Sequence, residues 1–284
     1  MHAWLVRRVF GGRMLRSLLL GVGFAGALGI GTSALAETPR QPTGKWTLDY
    51  GTTQCTALRD YGAANDPFTF AIVPAPEGDT YELLLGLNRR PPVSAEELEA
   101  TVDFGFGPIK SWFLKYASEN RKLTVYQFRI SASEMARART ASSIALHVKG
   151  DLDSNLELDT IPALLDGLEK CTADLKNYWN MDGEKDGRIT TSAKGELHHL
   201  FTADDYPSEA LNHLQEGGSQ FLLLVDEKGT VAGCHVMIPS GSPVLDAMGC
   251  AVFRERAHFK PALDRAGKPV RSTYITPKVD WRMY

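Results

Sequence analysis

Four cysteines, Cys55, Cys171, Cys234 and Cys250, constrain this chain more than any other feature, because all of them follow an N-terminal segment with the marks of an export signal. An even number of thiols delivered to an oxidising compartment points to two disulfides. Four cysteines admit three pairings, and their positions alone do not choose among them. No Cys-x-x-Cys occurs, so a redox-active or zinc-ribbon site has nothing to rest on.

The export reading comes from residues 1–36. Arg7, Arg8, Arg13 and Arg16 precede an apolar run from Leu18 to Ile30, and Ala34-Leu35-Ala36 ends it before Glu37. A basic start, an apolar middle and a small-x-small end describe a cleaved secretory signal. Arg7-Arg8 partly matches a twin-arginine signal. A retained anchor is the alternative, since Leu18 to Ala36 approaches the ~20 residues that span a bilayer. Five glycines between Gly21 and Gly31 favour cleavage after Ala36. That cut removes four arginines and moves the formal net charge from −3 to −7. An acidic mature protein repels nucleic acid and anionic membranes, so neither is expected as a partner.

With 284 residues, two modest domains are expected. The first, residues 37–181, opens on a short polar lead-in. It then shows strand candidates at Trp46–Tyr50, Phe68–Val73, Tyr81–Leu87, Ser111–Tyr116, Leu123–Ile130 and Ser143–Val148, rich in aromatic and branched residues and bounded by Pro/Gly turns. Short strands at this spacing imply an antiparallel sandwich or barrel. Ser131–Arg139 reads as a helix with Ser133 as its cap. Thr160–Trp179 reads as a longer one, with Leu164, Leu165, Leu168, Cys171, Leu175 and Tyr178 at helical spacing. Cys171 on that stripe faces the core, and a partner at Cys55 would tie the helix to the opening strands.

Residues 182–200 read as a polar, solvated linker. Asp182 to Ile189 echoes the start of an EF-hand loop, but the twelfth position is Ala193, where calcium needs a bidentate Glu. His198, His199 and His213 diverge in direction and lack a Glu or Cys at ligand spacing. No metal and no cofactor is expected.

The last part, residues 201–284, is the most patterned. Tyr206-Pro207-Ser208-Glu209-Ala210-Leu211 starts a helix, with Leu214 on its buried face and Gly217-Gly218 at its end. Phe221–Val225, the turn Asp226–Gly229 and Thr230–Ile238 form a hairpin carrying Cys234. Ser242-Pro243 caps a second helix carrying Cys250, and a long strand runs from Val270 towards Met283, with Pro269 and Pro277 marking an edge or a break. This order resembles the C-terminal domain of the TonB energy-transducer family in its two-cysteine form. The resemblance implies a small α+β module of helix, two-strand hairpin, helix and third strand. It implies the Cys234–Cys250 pair, because two-cysteine members join a strand to this helix. It also implies a partner held by β-augmentation, such as the N-terminal peptide of an outer-membrane receptor, with Arg271, Ser272, Tyr274 and Thr276 as contacts.

The expected fold class is therefore α+β, a β-rich sandwich or barrel-like domain ending in a helix and followed by this module. The leading functional reading is a periplasmic, non-enzymatic binding or adaptor protein. The alternative is a membrane-anchored TonB-type transducer driving outer-membrane receptor transport. A transducer needs a stiff linker to cross the periplasm, commonly proline-rich, whereas the 15 prolines here are scattered. No Gly-x-Ser-x-Gly, His-Glu-x-x-His or phosphate-cradling glycine loop supports an enzyme.

Overall fold

A computed structural model describes residues 38–118 and 120–283, so the expected leader lies outside the described residues. The first unit is one curled antiparallel sheet, which meets the barrel-like expectation. Its strands are β1 (Thr47–Tyr50), β2 (Cys55–Tyr61), β3 (Phe68–Pro74), β4 (Thr80–Leu87), β5 (Ala100–Asp103), β6 (Ile109–Ala117), β7 (Thr124–Ser131), β8 (Ser143–Val148) and β9 (Leu152–Glu157). They lie in the order β1-β2-β3-β4-β7-β6-β5-β8-β9. The lead-in draws the two ends together, with Arg40 bridging Leu156 of β9 and Pro42 bridging Tyr61 of β2. Arg40 N donates to the Asn155 carbonyl at 2.7 Å, Glu157 N to the Arg40 carbonyl at 3.0 Å, and the Tyr61 hydroxyl to the Glu157 carbonyl at 2.8 Å.

Helix α1 (Ala132–Arg137) is short, and α2 (Ile161–Tyr178) fills the concave side of the sheet. The α2 stripe of Ile161, Leu164, Leu165, Leu168, Cys171 and Leu175 is buried with the rings of Tyr61, Phe70, Phe113 and Phe128. Cys171 is bonded to Cys55, which fastens the helix to β2. The α1 cap is Ser131, not Ser133: its hydroxyl accepts from Glu134 N while the Glu134 carboxylate accepts from Ser131 N at 2.7 Å. Strands β2, β5 and β9 go unread in the sequence. In β2 the charge of Arg59 conceals the pattern, yet Arg59 is buried, pairs with the Asp159 carboxylate and donates to the Gly44 carbonyl at 2.7 Å. In β9, Asp153, Asn155 and Glu157 are poor strand formers that point away from the core while Leu152, Ser154 and Leu156 are buried.

The convex side of the same sheet is also covered. Ala71, Val73, Leu84, Leu114, Tyr116 and Val125 form one cluster with Ala210, Val244, Leu245, Ala247 and Trp281 from the C-terminal part. Strands buried on both faces read as unbroken apolar runs, as Phe70-Ala71-Ile72-Val73 and Leu83-Leu84-Leu85 do.

The C-terminal part holds β10 (Lys194–Gly195), α3 (Ser208–Asn212), β11 (Gly217–Val225), β12 (Val231–Ile238), α4 (Pro243–Arg256), β13 (Phe259–Lys260), β14 (Ala262–Leu263), β15 (Pro269–Val270), β16 (Ser272–Ile275) and β17 (Val279–Trp281). Strand β11 is central, paired antiparallel with β12 on one side and with β16 and then β17 on the other. Its Phe221, Leu223 and Val225 face α4, and its Leu222 and Leu224 join the first unit's core. Helix α4 lies so close to β11 that a Cβ added at Gly249 would run into the Phe221 ring. Cys234 of β12 is bonded to Cys250 of α4.

Three local expectations change. Helix α3 ends at Asn212, so Gly217-Gly218 opens β11 instead of closing the helix, and Leu214 is 77% exposed. The expected long final strand is broken into β15, β16 and β17, with Pro277 at the last gap. The polar run 182–200 contributes Ile189 and Ala193 to the C-terminal core, and its β10 pairs with β13.

The cap of α4 comes from the other unit. The Ser242 side chain makes no cap bond to its own helix. Instead Glu97 accepts from Val244 N, from the Ser242 hydroxyl and from Gln215 Nε2, each at 2.7 Å. A carboxylate at this end satisfies an orphan donor and opposes the helix dipole. Nearby, buried Asp246 accepts from Trp112 Nε1 at 3.3 Å and from Ser240 N at 2.9 Å, and burial pushes its carboxyl above the usual range.

Candidate docking edge

Strand β16 is held against β11 in a register that pairs Ser272 with Val225, Thr273 with Leu224, Tyr274 with Leu223 and Ile275 with Leu222. One residue on, Thr276 N donates to the Phe221 carbonyl at 2.9 Å, and the Thr276 hydroxyl accepts from Phe221 N at 3.1 Å. Antiparallel pairs alternate between hydrogen-bonded and non-bonded. The bonded pair at Thr276–Phe221 therefore makes Tyr274–Leu223 and Ser272–Val225 bonded too. The backbone groups of Thr273 and Ile275 point the other way, and no strand pairs with that side among the described residues.

The side chains follow the same alternation. Tyr274 packs towards the α4 face, its ring 4.9 Å from that of Phe259. Ser272 and Thr276 are 2% and 1% exposed. Thr276 is committed through both its backbone and its hydroxyl, and Gln220 Nε2 donates to its carbonyl at 2.9 Å. Ile275 is 52% exposed. Arg271 closes the far end: its guanidinium lies 4.0 Å over the Tyr178 ring and pairs with Glu227 at 2.8 Å, while Asn180 Nδ2 donates to its carbonyl at 2.9 Å.

Of the residues singled out in the sequence, Ser272, Tyr274 and Thr276 thus turn their backbones towards β11, and Arg271, just before β16, has its guanidinium taken by Glu227 and Tyr178. The outward groups belong to Thr273 and Ile275, which that reading passed over. A signal for them was present. Proline is tolerated where an N–H would face outward, and Pro277 shares the parity of Thr273 and Ile275.

Two features brace α4 against its surroundings behind β11. The Cys234–Cys250 bond fixes β12 to α4 on the opposite side of β11. Asp205, capping its own turn through Thr202 N at 2.8 Å, receives both Arg256 guanidinium nitrogens at 2.7 Å. That Arg256 contact holds the Asp205 carboxyl down at about 2. Among the described residues, no group of three or more His, Cys, Asp or Glu is arranged to hold a metal ion, and the carboxylates of Asp182 and Asp186 are taken by Lys185 and Arg188. Among the same residues, no helix is long and apolar enough to cross a membrane.

With this geometry in view, residues 202–283 match the family described as Gram-negative bacterial TonB protein C-terminal. Comparison with curated proteins and with solved structures returned no match. The family match covers the module from the α3 region through β17, and it describes a protein-interaction module of Gram-negative bacteria.

Proposed function

We propose that this chain is an exported, non-enzymatic binding or adaptor protein of the periplasm, whose TonB-like module docks a protein partner by strand addition along β16. The observation that carries this reading is the outward row of backbone groups at Thr273 and Ile275, unpaired among the described residues, in a module of the matched family. An extended peptide, such as the N-terminal segment of an outer-membrane receptor, would gain backbone bonds there and selectivity from the exposed Ile275 face.

The test uses the full chain in cells. A photo-crosslinking residue at Ile275 should capture an outer-membrane receptor through its N-terminal segment. Thr273→Pro, which deletes an outward N–H without touching the β11 pairing, should reduce capture at least tenfold. Undiminished capture by Thr273→Pro would overturn strand addition, as would a crosslink to no envelope protein.

The membrane-anchored transducer remains a second reading because of the apolar length of Leu18 to Ala36. A chain recovered from cells that begins at Glu37 removes it. Retention of Met1 in the inner membrane removes the adaptor reading.

A further inference from the structure

A cavity of about 610 Å³ opens where the end of α2 meets the β11–β12 turn and the last turn of α4. Its size lies within the roughly 300–1,000 Å³ typical of small-molecule sites, which favour the junction between units. The charged groups on its wall are not equally committed. Arg271 is neutralised by Glu227 and stacked on Tyr178. Asp226 accepts from Lys228 N and Thr230 N through one oxygen only, at 2.9 and 2.8 Å, leaving the other without a partner among the described residues. Glu255 is exposed and makes no ion pair there.

Arg254 is the unusual member. It is half-buried, yet it has no hydrogen bond or ion pair among the described residues, whereas Arg256 one half-turn on is clamped by Asp205. Burial holds its guanidinium below the ordinary arginine range. A half-desolvated cation with five unused donors favours an acceptor, and a carboxylate matches its planar fork. On the same wall Thr53 is 5% exposed, and its hydroxyl lacks a partner among the described residues.

We propose that this cavity binds a small zwitterion of the amino-acid or short-peptide class, with its carboxylate on Arg254 and its ammonium facing Asp226 and Glu255. The charge pattern selects this class. A phosphate dianion would meet one free cation and two carboxylates, and a simple cation would meet unpaired Arg254. A zwitterion presents each sign to its complement. Tyr178, Val231 and Ala251 supply an apolar wall for its side chain. The site adjoins the β16 edge through Arg271, but neither Thr273 nor Ile275 lines it.

Calorimetry on the full chain should find saturable binding of L-leucine or of the dipeptide L-alanyl-L-leucine. N-acetyl-L-leucine, L-leucinamide and inorganic phosphate should each bind at least about tenfold more weakly, a difference of about 1.4 kcal/mol. Arg254→Gln should weaken the zwitterion at least tenfold while its circular dichroism stays that of the parent. Glu255→Gln should narrow the preference for L-leucine over N-acetyl-L-leucine. The proposal falls if neither zwitterion binds, if phosphate binds as tightly, if Arg254→Gln binds like the parent, or if Glu255→Gln leaves that preference intact.

Discussion

Both units fasten a helix to a sheet with one disulfide, but they do so in opposite geometries. In the first, α2 lies inside the curl of the sheet, and Cys55 and Cys171 are separated by 116 positions. In the second, α4 lies flat on β11, and Cys234 and Cys250 are separated by 16. The first arrangement depends on chain ends that are distant in sequence. The second is nearly local, but its helix is capped by Glu97 from its neighbour. Each unit therefore lacks something on its own: the convex face of the sheet needs the module as a cover, and the α4 terminus needs the sheet's carboxylate.

The contrast between the two crosslinks gives the largest expected effect. Cys55→Ala with Cys171→Ala should lower the unfolding free energy by about 4–5 kcal/mol, against about 3 kcal/mol for Cys234→Ala with Cys250→Ala. Urea denaturation of both variants decides the order, and a reversed order breaks the distinction between long-range and local closure. Gly249→Ala should cost about 2–3 kcal/mol, because the new methyl displaces the Phe221 ring or lifts α4 from β11. Glu97→Ala should cost about 2 kcal/mol through the lost cap and the stranded donors of Val244 and Gln215. If the units share their stability, Glu97→Ala shifts a single melting transition. Two transitions, with only one moved, would show that they melt independently.

The smallest effect concerns pH. Burial raises the Glu77 carboxyl to about 7, with Asp79 adding to the rise and Arg129 and Lys176 opposing it. Its folded pKa lies above the ordinary 4.5, so the folded state holds a proton that the unfolded chain releases. The stability this group contributes is present at low pH and is lost as pH rises from about 4.5 through about 7. Glu77→Gln should flatten that decline and gain on the order of 1 kcal/mol near pH 8, measured by thermal unfolding across the range.

The sequence showed most clearly what is periodic and one-sided. Ser143–Val148 alternates and matches its strand, and the α2 stripe places Cys171 in the core. Strands whose polar residues are paired out of sight were hidden: the Arg59–Asp159 pair masks β2, and no local pattern announces a carboxylate so far along the chain. The unbroken runs at Phe70–Val73 and Leu83–Leu85 showed as strands, but their two-sided burial takes on meaning only with the module in place. At the docking edge the strand was legible from its prolines and its family likeness. Which of its residues face outward was not, because that depends on the hydrogen-bonded pair at Thr276–Phe221.

The seam at Arg40 and Pro42 also sets an order of events. It joins the earliest described residues to β9, so the curl cannot close until that strand exists, and the Cys55–Cys171 bond must wait for α2. Contacts far apart in sequence form slowly because loop entropy is lost before they are made. The hairpin and helix around Cys234 and Cys250 face no such delay. Closing the second unit's crosslink therefore costs less loop entropy than closing the first, although the N-terminal end of α4 still depends on Glu97 for its cap.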